Sequence, residues 1–294
     1  MFERAGVRIH YVTAGLLPTQ NERGRVIVLL HGWPQTWWEW RHVIQPLCRE
    51  GWFVIAPDYR GAGGSSKPTS GYDKQTMATD IRELLAFLRI TSPITLVGHD
   101  LGMLVGYSFA TLYPTDVERL VLMEAPIPGT KAFQSVATTR FSESRLWHFH
   151  LHGAADSIAE MLIVGRELPY LRSFYVRLSS NPDAISLADV QRYVADYTAP
   201  GAMRAGFELY RAFEKDEGDN RRALVEKGKL QMPVLGLGGT ASFFLPLADE
   251  MLSEVAENAT VRPIEDCGHW IAEEQPEIFL RELRRFVRDT AGES

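Results

Sequence analysis

Ile94-Thr-Leu-Val-Gly98-His99-Asp100-Leu101-Gly102-Met103 is the stretch around which the chain is organised. It reads as a short apolar strand, a sharp turn between two glycines, and the start of an amphipathic run that ends at Tyr113. The spacing Gly98-x-Asp100-x-Gly102 is that of a nucleophile elbow, whose middle residue stands on a strained strand-to-helix turn. Small residues must flank that turn because the helix start and the neighbouring strands crowd it. Where this motif ordinarily holds serine, the chain holds Asp100. A carboxylate attacks amides and esters poorly, since the anhydride formed reverts. Toward an sp³ carbon bearing a leaving group it forms a covalent ester, whose carbonyl water can then attack. Asp100 therefore points to epoxide opening or carbon–halogen cleavage and away from peptidase or lipase chemistry. Aspartate also caps helices, and position alone does not separate the two roles.

On the N-terminal side, residues 7–12 alternate, and residues 26–30 form the solid apolar run of a buried strand. The latter ends in His31-Gly32-Trp33-Pro34, where a glycine lets backbone approach a ligand and the next amide can face a developing oxyanion. A helix over 37–48 and a strand over 53–57 follow, and then the loop Asp58-Tyr-Arg60-Gly61-Ala-Gly63-Gly64-Ser65. That loop is no phosphate cradle, because no Gly-Lys-Ser/Thr opens a helix there. A helix over 74–89, the elbow with its helix, and a strand over 119–123 complete an alternating βα pattern. Such a pattern implies a mostly parallel open sheet with ligands at its carboxyl edge. After Pro128 the alternation lapses into helical, aromatic sequence up to about Leu230, then resumes with strands over 234–239 and 260–265 and a closing helix over 276–290. The expected organisation is an α/β core over residues 1–128 and 231–294, with a helical cap inserted over 129–230.

At 294 residues, with 45% hydrophobic and 11% aromatic content, the chain can bury a large core. Its net charge of −6 is spread without long runs of one sign, which argues against nucleic acid or an anionic membrane as partner. Cys48 and Cys267 are too few for a disulfide framework. The N-terminus shows no basic segment followed by an apolar run, and no apolar stretch reaches membrane-spanning length, so the expected location is the cytoplasm.

An ester on Asp100 needs a base to activate water, and the base needs an orienting carboxylate. His269, in Asp266-Cys267-Gly268-His269-Trp270 after the last strand, supplies the imidazole. The loop after the penultimate strand, Gly238-Gly239-Thr240-Ala241-Ser242, offers no acid, and Asp249 lies too far into the next helix. Glu124, at the tip of the strand beyond the elbow, is the orienter by elimination. The oxyanion donors are expected to be the amides of Trp33 and Leu101, each typically worth roughly 3 kcal/mol of barrier. An opening epoxide also needs a hydrogen-bond donor from above the elbow; Tyr210 and His148 are the candidates, although either could be an ordinary buried polar residue. In His148-Phe-His150-Leu-His152, a helix would put His148 and His152 on one face. No carboxylate or cysteine cluster completes a metal shell there, so neither metal nor cofactor is expected. Trp37, Phe149, Phe207 and Phe243 are candidate pocket walls.

Together, His31-Gly-Trp-Pro34, Arg60-Gly-Ala-Gly63-Gly-Ser65, Gly98-His-Asp100-Leu-Gly102 and Gly268-His269 resemble the aspartate-nucleophile α/β-hydrolases, along essentially the whole chain. Within that group, Met123-Glu-Ala-Pro-Ile-Pro128, Trp147-His-Phe149, Phe207-Glu-x-Tyr210-Arg-Ala212 and Cys267-Gly-His-Trp270 resemble the Cif-type epoxide hydrolases, named for a secreted inhibitor of a host chloride channel. The resemblance implies the α/β-hydrolase fold with a cap, His148 and Tyr210 as the pair that activates the epoxide oxygen, and Glu124 behind His269. The Cif prototype is exported and has a disulfide near its histidine; here Gln275 stands where the second cysteine falls. The resemblance therefore carries the chemistry and not a channel-inhibiting role.

The expected reaction is opening of a small hydrophobic epoxide to a vicinal diol, with a homodimer as the candidate assembly. The first alternative is a haloacid or haloalkane dehalogenase. Fluoroacetate dehalogenases need arginines just past the nucleophile, where this chain has Leu101-Gly102-Met103, and haloalkane dehalogenases place a tryptophan where Leu101 stands. The second is a non-catalytic binding protein that kept the fold.

Overall fold

The apolar runs form strands whose faces are covered on both sides. In chain order these are β1 (Phe2–Arg4), β2 (Val7–Ile9), β3 (Tyr11–Ala14), β4 (Val26–Leu30), β5 (Phe53–Pro57), β6 (Ile94–His99), β7 (Val117–Met123), β8 (Val234–Gly239) and β9 (Ala259–Ile264). The computed structural model describes residues 1–17, 25–137 and 146–290. One seven-stranded sheet has the order β3-β5-β4-β6-β7-β8-β9. Every neighbouring pair in it is parallel except β3 with β5. Side chains alternate across the sheet as strand geometry requires. In β4, Val26, Val28 and Leu30 join one core and Ile27 and Leu29 the other. Each such fully buried aliphatic contributes on the order of 2 kcal/mol of transfer free energy.

The alternating run 7–12 does not form one strand. The structure breaks it at His10, whose amide donates to Ser65 Oγ at 2.8 Å and whose ring sits 2.7 Å from Asp58. These bonds take His10 out of both ladders, so β2 pairs with β1 in a separate ribbon and β3 edges the main sheet. The predicted helix over 37–48 starts as a 3₁₀ turn, Trp37–Trp40, capped by Thr36, before α1 (Arg41–Arg49). On the core follow α2 (Lys74–Phe87) and α3 (Leu101–Leu112).

The stretch expected to be helical between the two halves of the sheet contains α4 (Lys131–Ala137), α5 (Trp147–Gly153), α6 (Ile158–Ile163), α7 (Glu167–Arg177), α8 (Leu187–Tyr197), α9 (Ala202–Arg211) and α10 (Phe213–Lys227). Residues 138–145 of it lie outside the described residues. The chain then closes with α11 (Leu245–Val255), the short α12 (Ile271–Glu274) and α13 (Pro276–Asp289). Buried polar links tie the helical stretch to the sheet domain. Lys74 Nζ bonds Asp216 at 2.7 Å and the Leu209 carbonyl at 2.8 Å. Tyr193 donates to Glu273, which also receives Arg41.

The elbow explains its own glycines. Asp100 has φ 48°, in the left-handed region that costs a side-chain-bearing residue strain. A Cβ on Gly98 would meet the Gly102 carbonyl oxygen at 2.5 Å, and one on Gly102 would meet that of Leu30 at 2.3 Å.

Candidate active site

The carboxyl ends of β4, β6, β7 and β8 and the loop after β9 converge on Asp100. Its Oδ1 accepts the Trp33 amide at 2.9 Å, delivered by the turn that follows β4. Gly32 is needed for that approach, since a Cβ there would sit 2.6 Å from the Asp100 Cβ. Leu101 is buried beside the site, but its amide donates no bond to the carboxylate among the described residues. The other oxygen, Oδ2, faces His269 Nε2 at 3.7 Å. The His269 ring is steered from behind by Glu124, whose Oε2 lies 3.2 Å from Nδ1.

Glu124 is fully buried and, like Asp100, sits at positive φ, 71°. The loop after β8, which carries no acid, instead holds this one. The Gly239 amide donates to Oε1 at 2.8 Å and the Ser242 hydroxyl donates to Oε2. Burial raises Glu124 to about 8, against those two donors and the charge of His99. Burial also lowers His269 to about 3, and the neighbouring His99 adds to the effect, so the imidazole is neutral near pH 7.

Above the carboxylate, α5 and α9 bring in the two donor candidates. His148 and His152 lie one helical turn apart and are both buried. His148 and Tyr210 pack edge to face with ring centroids 5.8 Å apart, and Tyr210 also packs against Trp33 at 5.6 Å. Burial, with the charge of Asp100 adding, pushes Tyr210 well above the ordinary phenol value, so it keeps its proton. Burial, with His152 and Arg177 adding, pushes His148 well below the ordinary imidazole value, so it is a neutral ring with one N–H.

A pocket lined by Trp33, Asp100, Leu101, Glu124, His148, Phe149, Tyr210, Phe243 and His269 unites all but two of the residues singled out from the sequence. The two exceptions are corrections. Trp37 faces away: its ring packs on Trp38 and under the Arg192 guanidinium, while its amide is tied to Asp58. Phe207 is wholly buried; it lies one turn before Tyr210 along the same face of α9, where it packs tilted against His152 at 4.7 Å and not among the residues that line the pocket. Apolar walls that the sequence did not single out include Leu104, Leu146, Phe174 and Phe213. The free space among these walls is about 20 Å³, room for one water molecule.

A model described as the alpha/beta hydrolase fold matches residues 25–276. The chain belongs to the alpha/beta hydrolase family. Among family members it is similar to the soluble epoxide hydrolase of Corynebacterium sp. strain C12, with 39% identity over 284 residues, covering 96% of this chain and 94% of that protein. The solved structure of the epoxide hydrolase CorEH superposes with TM-score 0.85 at 36% identity, over 97% of this chain and 96% of that one. The Cif epoxide hydrolase of Acinetobacter nosocomialis gives TM-score 0.88 at 25% identity, over 97% and 87%.

Three further members of the site escaped the sequence reading. Ser242 stands out in no sequence pattern, since its hydroxyl serves only by donating to an acid from another strand. His99 and Glu39 are buried at the elbow and in the 3₁₀ turn, 2.9 Å apart. The signal available for Glu39 is a single acid inside Trp37-Trp38-Glu39-Trp40, where aromatic neighbours force it inward.

Proposed function

We propose that the protein is an epoxide hydrolase that converts a small hydrophobic epoxide to a vicinal diol through a covalent ester on Asp100. The carrying observation is the split environment of one carboxylate, with Oδ1 held by the Trp33 amide and Oδ2 facing the pocket and the His269 ring. Similarity to the Corynebacterium soluble epoxide hydrolase supports the same reading.

In this scheme Oδ2 attacks one epoxide carbon while the C–O bond to the ring oxygen breaks. The oxygen takes a proton from the Tyr210 hydroxyl, with His148 donating a second hydrogen bond. Water then attacks the ester carbonyl as His269 removes one of its protons and Glu124 steadies the imidazolium. The tetrahedral oxyanion forms on Oδ1, where the Trp33 amide already points, with the Leu101 amide as second donor. Collapse expels the diol oxygen, which takes the proton from His269. The carboxyl proton left on Asp100 returns to Tyr210. The helices over 129–230 act as a cap that supplies the oxygen-activating pair and excludes water. Both cysteines are free, which suits the reducing cytoplasm.

The haloacid alternative is disfavoured by charge. The described lining holds the acids Asp100 and Glu124 and no lysine or arginine, so it offers a substrate carboxylate no cation to offset the cost of burying its charge. Incubation of the purified protein with styrene oxide and, separately, with chloroacetate tests the assignment. Phenylethanediol is expected, with turnover lost in Asp100→Asn; halide release outpacing diol formation would overturn it.

A further inference from the structure

Glu39 is almost completely buried and is not among the residues that line the pocket. Its two oxygens hold different pieces of the site. Oε2 accepts the Gly32 amide at 3.0 Å, and Gly32 is followed directly by Trp33, whose amide meets Asp100. Oε1 lies 2.9 Å from His99 Nδ1. The opposite nitrogen of that ring, Nε2, donates to the backbone carbonyl of His269 at 2.8 Å. The three turns that must agree in position are the one after β4, the elbow after β6 and the loop after β9. Each is fixed to the others through this one acid and one imidazole.

We propose that Glu39, acting through His99, is a positioning residue for ester hydrolysis: it holds the Trp33 amide and the His269 ring in register around Asp100. The inference rests on the epoxide hydrolase reading above. It assigns Glu39 to the second half of the cycle, because the groups it holds serve attack by water, while ring opening relies on Asp100, Tyr210 and His148.

The charges agree with the geometry. Burial is the largest single influence on His99 and lowers it, but the charge and hydrogen bond of Glu39, together with the charges of Asp100 and Glu124, outweigh it and hold His99 up at about 9. The titratable and charged groups facing His269 are Glu124, 3.2 Å from Nδ1, together with His99 and Arg177, which lower it, and Asp100 and Glu39, which raise it; His99 has the larger effect of the pair His99–Glu39. Loss of Glu39 therefore removes the His99 cation and leaves His269 more basic.

Single turnovers with styrene oxide, quenched and read by protein mass, separate ester formation from ester breakdown. For Glu39→Gln, ester formation is expected to stay within about threefold of the parent. Breakdown is expected to slow by roughly 10- to 100-fold, as a misplaced catalytic group costs. The acid limb of the breakdown rate should move up by at least about half a pH unit. His99→Gln should give the same imbalance, and the double variant should cost no more than either single change. Imidazole ¹⁵N shifts of the parent protein should show His99 doubly protonated at about pH 8, a readout that needs no variant to fold. The proposal is overturned by unchanged breakdown, by both steps falling in proportion, or by a neutral His99 at that pH. If the parent protein forms no ester at all, the epoxide hydrolase reading fails instead, while the state of His99 still reports on the pair.

Discussion

Tyr210→Phe isolates one atom of the proposed ring-opening step. The Tyr210 ring is clasped by Trp33, Phe149, His152 and Phe213, with centroid distances of 5.6, 5.5, 4.5 and 5.3 Å, and a phenyl ring preserves all four contacts. Only the hydroxyl is lost. Because burial keeps that hydroxyl protonated, the native group is a full donor toward the oxygen that gains charge. One donor aimed at developing charge in a dry site is worth about 3 kcal/mol, or roughly 100-fold in rate. His148 remains to stabilise the oxygen, so ester formation should slow by about that factor and not stop. Ester breakdown, which does not use Tyr210 as a donor to the reacting oxygen, should change little. Rapid-quench measurement of the alkylated protein in a single turnover reads both rates. Ester formation within about threefold of the parent, or slowing confined to breakdown, would refute the assignment of Tyr210.

His269→Gln should leave ester formation nearly intact and stall breakdown, so that a protein species heavier by one substrate accumulates and is visible by intact mass. An unmodified protein after incubation with excess epoxide would count against His269 as the base. Acid should also destabilise the fold. His148, His152 and His269 are each lowered by burial, so they stay neutral in the native state while the unfolded rings take up protons below about 6.5. The unfolded state then binds more protons, and stability is lost as pH falls from about 7 toward 4, by roughly 1.4 kcal/mol per pH unit for each ring. His99 and Glu124, both raised, work oppositely: their contribution is complete at low pH and is lost as pH rises through about 9 and about 8. Three rings against these two should give a lower calorimetric melting temperature at pH 5 than at pH 7. An equal or higher value at pH 5 contradicts that balance.

Local rules reached most of the fold. Gly98 and Gly102 announce the elbow because no Cβ fits at either place, and the same crowding is visible in the structure at 2.5 and 2.3 Å. The solid apolar runs of β4, β5, β6 and β8 could be read as interior strands because residues on both faces had to be apolar. The break at His10 could not, since it depends on Asp58 and Ser65, some fifty residues away. At the site, Asp100, Glu124 and His269 were legible because each ends a strand or follows one. The pocket walls were less so. Trp37 and Phe207 are aromatic like true lining residues, but the 3₁₀ turn packs Trp37 against Trp38, and Phe207 sits one turn farther along α9 against His152. Glu39 and His99 were hidden for a different reason: their significance lies in which backbone groups they hold.

The ester on Asp100 is most directly tested by following oxygen through one turnover. Excess enzyme is mixed with styrene oxide in ¹⁸O-water, and both the diol and the peptide containing Asp100 are weighed. The covalent route predicts a first-turnover diol without the heavy isotope and one heavy oxygen in the Asp100 carboxyl. A labelled diol from that first turnover, with an unlabelled aspartate, would mean that water opens the ring directly.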